Sequence, residues 1–411
     1  DIELIKRIAD RERAPMYVVG ETTDDMQFVF ERKNGDKPIN LRLDYMIGKP
    51  PRTVITDSTI EEKFASVEAD DSKVEGYIEN VLQMEAVACK DWLTNKVDRS
   101  VTGKVARQQC AGEIQLPVND LGAVALDYRG KSGIATSIGH APAVALVDPA
   151  AGSVISIAEA LTNIVWAPLK DGLESVSLSA NWMWPCKNPG EDARLYKAVE
   201  ACSDFACELG VNIPTGKDSL SMTQKYGDDK VYSPGTVIIS AGAEVEDIKK
   251  IVSPALQNKK GSYIYHIDFS FDTLKLGGSA LALSLNRLGD EVPTVADPSY
   301  FVDAFEAVQE LIKSGLVLAG HDISAGGMLT ALLEMCFPKV NGGLKVDLNA
   351  IAEDSWVKIL FSENPGVLIQ VEDKNAVEKL LQDAGVGFAQ IATVVDGREL
   401  SIAKGGKEIT L

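Results

Sequence analysis

Histidine is scarce in this 411-residue chain, with only His140, His266 and His321. That scarcity bears on the six cysteines, Cys89, Cys110, Cys186, Cys202, Cys207 and Cys336, which are scattered without metal-ligand spacing. Few imidazoles exist to activate any of them as a nucleophile, so the expectation is five or six buried thiols in a reduced, cytosolic protein. No apolar run is long enough for a membrane-spanning helix or a signal peptide. Cationic residues are outnumbered, 41 Lys and Arg against 60 Asp and Glu, and the net charge of −19 argues against nucleic acid or an anionic membrane as partner. It does not argue against ATP, whose phosphates are met locally by metal and backbone donors. A P-loop is missing: Gly216-Lys217-Asp218-Ser219 lacks the G-x-x-x-x-G-K-[ST] spacing. An initiator Met is missing too, which suggests an excised piece. The length exceeds one ordinary core and allows two or three domains.

The most informative stretch is G-H-D-I-S-A-G-G, Gly320 to Gly327, which runs into the apolar M-L-T-A-L-L-E-M-C-F. Gly326 and Gly327 open a helix whose first N–H groups can be approached closely at the positive end of the dipole. Asp322 can hold a divalent cation, and Ser324 can cap the helix or touch a phosphate oxygen. An ordinary capped helix is the alternative. Further oxygen ligands stand elsewhere. G-S-V-I-S-I-A-E-A-L-T-N-I-V, Gly152 to Val165, is apolar around most of its circumference and reads as a buried helix. Glu159 and Asn163 lie four apart on one face of it, and a buried carboxylate there needs a cation or a donor unless that face reaches solvent. Asp120 sits where a strand-end acid would, before A-V-A-L-D-Y. Asp120, Glu159, Asn163 and Asp322 form an all-oxygen set that suits Mg²⁺ and not zinc. Spacing alone does not bring four such separated residues together.

Several segments in one order resemble the large, single-chain form of the phosphoribosylformylglycinamidine synthase family. They are D-R-S-V-T-G-K-V-A-R-Q-Q-C-A-G (Asp98 to Gly112), E-A-L-T-N-I (Glu159 to Ile164), L-S-A-N-W-M (Leu178 to Met183), P-G-E-D-A-R-L-Y (Pro189 to Tyr196), I-P-T-G-K-D-S-L-S-M (Ile213 to Met222) and H-D-I-S-A-G-G (His321 to Gly327). The resemblance implies a mixed α/β and α+β fold: the second of two fused aminoimidazole-ribonucleotide-synthetase-like (PurM-like) copies. An A subdomain with a barrel-forming sheet face would be followed by a B subdomain with helices on a sheet. The expected organisation is the tail of a first-copy B subdomain over 1–50, a linker with an amphipathic helix over 51–105, the A subdomain over 106–250 and the B subdomain over 251–411.

The resemblance also implies chemistry. The family is an ATP- and glutamine-dependent amidotransferase, a C–N ligase of purine biosynthesis. ATP activates the amide oxygen of formylglycinamide ribonucleotide and ammonia from glutamine displaces phosphate. In the family the second copy holds a structural magnesium–nucleotide diphosphate. Asp120, Glu159, Asn163 and Asp322 match its magnesium ligands, and Asn119 and Ser324 match nucleotide contacts. Two residues depart from the pattern: Asn119 stands at a position expected to be small, and Ala325 where Asp is common. The implied partners are the first-copy half, an amino-terminal domain and a glutaminase domain of the same full-length chain. This stretch carries no glutaminase Cys with partner His and Glu and no first-copy glycine-rich loop, so it is expected to be inactive alone. A homodimer through the orphaned A face would imitate the missing half.

Other features stay open. Lys217, Asp218 and Ser219 read as a turn that contacts phosphate or substrate, or as a plain surface turn. His321 reads as a histidine hydrogen-bonded beside a ligand loop. Met16 to Leu43 and Phe388 to Leu411 read alike, strand–turn–strand–turn–strand, with hairpin chemistry at Asn34-Gly35 and Gly405-Gly406. Lys49 to Thr53 marks a break, and Val74 to Leu93 reads as one amphipathic helix. Two rival classes remain: a standalone kinase or synthetase of the same superfamily, which would need its own catalytic Lys or Cys, and a non-catalytic module rigidified by nucleotide.

Overall fold

The computed structural model describes residues 1–49, 51, 54–94 and 103–411. The Lys49–Thr53 break and the start of the Asp98–Gly112 motif therefore lie partly outside the described residues. Residues 1–56 and 57–411 form two compact units.

The first unit holds α1 (Ile2–Arg11), the antiparallel pair β1 (Gln27–Phe30) and β2 (Ile39–Arg42), and α2 (Leu43–Ile47). Gly35 supplies the positive φ of +87° that the hairpin turn requires. The expected third strand is not formed: Met16–Thr22 runs outside any strand, and Val19 is 95% exposed with no sheet to join. The likeness between the two ends of the chain therefore covers two strands rather than three.

In the second unit the amphipathic stretch is shorter than the sequence predicts. After an exposed run from Asp57, α3 spans Val74–Leu82 and stops. A turn follows, in which the Lys90 ammonium donates to the carbonyls of Glu85 and Ala88, and α4 (Asp91–Thr94) is a separate turn of helix. The helix is also no free linker. Val74, Tyr77, Ile78 and Val81, spaced i, i+3, i+4, i+7, are buried in the second sheet's core, where Tyr77 meets Phe361 edge-on at 6.4 Å.

The first sheet takes β3 (Val105–Arg107), β4 (Gly122–Ala125), β5 (Gly133–His140), β6 (Ser177–Met183), β7 (Asn212–Ser219) and β10 (Thr236–Val245) in the order β3-β4-β5-β10-β6-β7. A separate hairpin joins β8 (Thr223–Tyr226) to β9 (Asp229–Tyr232). Between the strands lie α5 (Pro142–Val147), α6 (Pro149–Ile164) and α7 (Glu191–Glu208). Alternation along β5 buries Ala135 and Ser137 and leaves Ile134, 41% exposed, and Ile138, 57% exposed, on the open face. Asp148 caps α6 by accepting from Ala150 and Ala151, with Pro149 at the first helical position.

The second sheet is built from β11 (Tyr263–Asp268), α8 (Ala280–Ser284), α9 (Pro298–Lys313), β12 (Val317–Asp322), α10 (Gly327–Cys336), β13 (Gly343–Asp347), α11 (Trp356–Phe361), β14 (Gly366–Val371), α12 (Lys374–Asp383), β15 (Phe388–Val395), β16 (Leu400–Lys404) and β17 (Lys407–Thr410). Its strand order is β12-β14-β11-β15-β13-β16-β17, antiparallel apart from the β13–β16 pair. One apolar cluster, with Trp166, Leu169, Phe301 and Phe305 at its centre, joins elements of both sheets. Gln309 of α9 is buried across this seam, accepting from Leu169 N and donating to the carbonyls of Val165 and Ala167.

The approach of β5 to α6 sets where Glu159 lies. A Cβ on Gly139 would sit 2.3 Å from both Ala160 N and Ser156 O, which are backbone atoms that cannot swing aside. Gly139→Ala is expected to destabilise the chain by about 1–3 kcal/mol, read as a lower urea midpoint at unchanged slope. An unchanged midpoint would show that the gap is slack.

Candidate metal and nucleotide site

Asp120, in the loop before β4, and Asp322, which closes β12, meet at one acidic point. Glu159 of α6 is not in that group, although the Asp322 charge acts on it. Asp120, His321 and Asp322 offer ligand atoms that all lie within 4.8 Å of one another. His321 Nδ1 stands 2.7 Å from Asp120 Oδ1 and 3.5 Å from Asp322 Oδ1, while Nε2 meets Glu334 Oε2 at 3.0 Å. The 2.7 Å contact is an ion contact rather than an aligned hydrogen bond, since Nδ1 has no partner of good geometry.

The electrostatics follow from enclosure. Burial opposes charge on His321, but the Asp120 and Glu334 carboxylates on either side outweigh it and hold the imidazole well above its ordinary range. Burial raises Asp120, with His321 pulling against it. Asp322 is pushed up to about 7 by burial and then by the Asp120 charge. Glu159 is pushed up to about 8 by burial, with the charges of Asp322 and Glu363 adding to it and the His140 amide, 2.8 Å from Oε2, opposing. Although the Glu159 side chain reaches a cavity, protein encloses it on the other sides, and the raised value reflects that enclosure. Carboxylates packed this way are costly unless a cation shares their charge.

A test of fit for a cation comes from orphaned oxygens. Asp120 Oδ2 and Asp322 Oδ2 are buried and have no hydrogen-bond partner among the described residues. Two partnerless carboxylate oxygens beside further acids are what a hard dication satisfies, but the set is not the all-oxygen one expected, because His321 Nδ1 belongs to the same group and is also buried without an aligned partner. The fourth expected ligand lies one turn beyond Glu159: the Asn163 amide donates to Ile138 O at 3.2 Å, which orients its oxygen away from that carbonyl.

Beside the acids lies a cavity of about 430 Å³, lined by His140, Pro142, Glu159, Leu283, Ser324 and Glu363 among others. On the far side of Asp120 a second, open cavity of about 750 Å³ runs over the exposed face of the first sheet, past Arg107, Asn119, Thr136 and Ser240. The acidic point therefore separates two spaces, with Glu159 and Ser324 facing one and Asp120 the other.

The remaining expected residues fall into place unevenly. Asn119 spends its side chain on the chain itself: Nδ2 donates to Gln108 O and Cys110 O, and Oδ1 accepts from Ser253 Oγ. Gly326 and Gly327 adopt φ of +90° and +71°. Their amides are taken, Gly326 N by Glu363 Oε1 at 2.7 Å and Gly327 N by Ser324 O at 2.9 Å. A Cβ on Gly327 would lie 2.6 Å from Leu360 O, so this glycine admits α11 rather than a ligand. Lys217, Asp218 and Ser219 are not a turn. They form the end of β7, paired in parallel with Asn181, Trp182 and Met183 of β6, and a Cβ on Gly216 would meet Ala180 O at 2.3 Å. Pairing of the backbone overrode the turn chemistry of Gly216-Lys217-Asp218. β7 is the edge strand, with β5, β10 and β6 between it and β4, so these three residues stand apart from the acids.

Two residues were missed from sequence. Glu363, pushed up to about 7 by burial against the pull of two amides, accepts from Ala280 N and Gly326 N and so joins the starts of α8 and α10. Glu334 is the single charge in an otherwise apolar helix, which was a usable signal.

Residues 89–244 match the FGAR-AT PurM_N-like domain and residues 259–404 the AIR synthase related protein, C-terminal domain. A phosphoribosylformylglycinamidine synthase from Homo sapiens is 38% identical over 407 residues, covering 93% of this chain and 30% of that protein. A probable phosphoribosylformylglycinamidine synthase from Caenorhabditis elegans is 36% identical over 405 residues, 95% of this chain and 30% of that protein. The chain thus spans about 30% of the length of these relatives. Among solved structures, T. maritima PurL complexed with FGAR superposes with a TM-score of 0.63 at 15% identity, covering 82% of this chain and 52% of that one. T. maritima PurL complexed with ATP gives 0.58 at 15% identity, covering 83% and 53%. At that identity the likeness is one of fold.

Proposed function

The chain belongs to the phosphoribosylformylglycinamidine synthase family, and from that premise we propose that it supplies the second PurM-like half of the enzyme's synthetase core. In this reading the whole enzyme converts formylglycinamide ribonucleotide, ATP and glutamine to formylglycinamidine ribonucleotide, ADP, phosphate and glutamate in the cytoplasm. This half carries an auxiliary Mg²⁺–nucleotide site and does not turn over alone. Asp120, Glu159 and Asp322 would hold the cation with Asn163 beside them, and Ser324 would face the nucleotide phosphates. The single observation that supports this best is the pair of buried, partnerless oxygens on Asp120 and Asp322.

The roles of the other residues follow from their bonds. Asn119 positions the loop that presents Asp120 rather than offering its amide to a ligand. With their amides engaged and φ positive, Gly326 and Gly327 turn the chain from β12 into α10 rather than offering donors to a ligand. His321, held well above its ordinary range between Asp120 and Glu334, orients the Asp120 carboxylate. When bound, the metal supplies charge neutralisation for the pyrophosphate and carboxylates together. The partners are the first-copy half, the amino-terminal domain and the glutaminase domain of the full-length chain. The open face of the first sheet, with Ile134 and Ile138 exposed, would meet the first copy, or a second copy of this chain when alone. Lys217, Asp218 and Ser219 sit at a sheet edge and would touch substrate only across such a partner.

Two measurements test the reading. Incubated with Mg²⁺ and ADP and then desalted, the chain is expected to retain one ADP per protomer, released by EDTA, as read by mass spectrometry of the denatured sample. Recovery of no nucleotide would refute the auxiliary site. With ATP, ammonia and formylglycinamide ribonucleotide the chain is expected to give no product, and measurable turnover would overturn its assignment as a non-catalytic half.

A further inference from the structure

Between β11 and the helices α10 and α11 lies a cavity of about 310 Å³ that the metal and nucleotide reading does not use. Its apolar lining includes Ile323, Met328 of α10 and Ile359 of α11. The stretch between α11 and β14 divides it from the cavity beside the acids. Ser362 and Asn364 line the one, Glu363 and Pro365 line the other, and Ile323 borders both.

The polar wall of this cavity is rich in acceptors. His266 and Asp268 stand two apart on one face of β11, and Ser362 directly follows α11. Gly366 of the paired strand β14 makes room for the imidazole, since a Cβ there would lie 3.0 Å from His266 Nε2. Burial holds this histidine below its ordinary range, with the Asp268 charge pulling against it. Neutral, it has one acceptor nitrogen in either tautomer, and the ring makes no hydrogen bond to a described residue. Ser362 is 4% exposed, and its hydroxyl has no such partner either. Asp268 accepts from Ser270 N, Ser270 Oγ and Phe271 N, all of them neutral donors. The other two carboxylates on the wall have cations near them: Lys275 is 2.7 Å from Asp272, and Lys358 is 4.0 Å from Glu353. Among the described residues no Lys or Arg lines the cavity itself.

A carboxylate with only neutral partners, a neutral imidazole and an uncommitted hydroxyl are costly to hold against apolar walls. Together they match the three donors of an ammonium group, whereas a phosphate or carboxylate ligand would meet no cation here. We propose that this cavity is a binding site for a small organic cation, a protonated amine carried on an apolar body. The ammonium lies against Asp268, His266 and Ser362, and the apolar part against Ile323, Met328 and Ile359. The volume is at the lower end for small-molecule sites, which suits an arylethylamine better than a nucleotide. The site does not depend on whether the chain binds nucleotide next door.

The test uses the whole, nucleotide-free chain and its three histidines. With ¹³C placed at histidine Cε1, the carbon spectrum holds three signals, and His266→Gln identifies the one of interest. Phenethylamine and 3-phenylpropionate, similar in shape and opposite in charge, are titrated at constant pH. Phenethylamine is expected to move the His266 signal saturably, with a dissociation constant of about 1 mM, and to leave His140 and His321 unmoved. The propionate is expected to move none of them. Asp268→Asn, which keeps one acceptor oxygen for its turn, and Ser362→Ala should each weaken phenethylamine about fivefold. No saturable shift at His266, an equal response to both probes, or a response at His140 alone would overturn the site. So would wild-type affinity in both variants, and if Asp268→Asn does not fold, Ser362→Ala decides.

Discussion

Asp322→Asn is expected to weaken Mg²⁺–ADP binding about a hundredfold while raising the melting temperature of the nucleotide-free chain at pH 8. The two effects have one cause. Asp322 is buried beside Asp120 with an oxygen that nothing in the protein satisfies, and burial with the Asp120 charge lifts its carboxyl to about 7. Above that pH the side chain is ionised beside Asp120 with one oxygen unpartnered, and the His321 imidazole 3.5 Å from Oδ1 offsets only part of the cost of burying it. The amide keeps the shape and removes the charge, so the empty protein is relieved by about 2 °C. The bound state loses a charged ligand, and removing even supporting groups of a metal site costs 10–100-fold. Calorimetric titration and thermal melts read both arms. A variant that binds Mg²⁺–ADP like wild type would remove Asp322 from the ligand set, whereas one that melts lower when empty would mean that the ionised carboxylate is satisfied after all.

Without divalent cation, the chain is expected to lose stability steadily as pH rises from about 6 to 8.5. The sign follows from the direction of the shifts. Asp322 and Glu363 are raised to about 7 and Glu159 to about 8, from ordinary values of 3.8 for Asp and 4.5 for Glu. In this window the folded chain therefore binds more protons than the unfolded one, and stability falls as pH rises through the folded values. His321, held above its ordinary range between Asp120 and Glu334, acts in the same direction. Saturating Mg²⁺ and ADP should flatten or reverse the trend, because ionised carboxylates are the form the cation takes up and protons are released on binding. The difference in melting temperature with and without Mg²⁺–ADP should thus widen with pH, reaching about 3 °C when nucleotide is a hundredfold above its dissociation constant. A difference that is constant from pH 6 to 8.5 would mean that these carboxylates do not exchange protons for metal.

Much of this was legible in the sequence because the signals were local. The apolar circumference of Gly152–Val165 made α6 readable, with Glu159 and Asn163 four apart on one face of it. The Gly326–Gly327 pair announced a helix start, which α10 bears out. What was not legible depended on partners distant in sequence. Gly216-Lys217-Asp218 carries turn chemistry, and only the backbone of β6 makes it a strand. Val74 to Leu93 keeps a helical rhythm beyond Leu82, but Lys90 folds back on the carbonyls of Glu85 and Ala88 and ends it. The amides of Gly326 and Gly327 looked available to a ligand, and Glu363, 37 residues beyond Gly326, holds the first of them. Asn119 likewise looked like a ligand contact until its bonds to Gln108 and Cys110 showed where its donors go.

The most direct test is a crystal of the chain grown with Mn²⁺ and ADP, with anomalous differences collected to locate the metal. The account predicts one strong peak about 2.1 Å from carboxylate oxygens of Asp120 and Asp322, with Glu159 in the same shell and the diphosphate in the cavity beside Ser324. A manganese peak elsewhere on the nucleotide, with Asp120 and Asp322 still unliganded around His321, would contradict it.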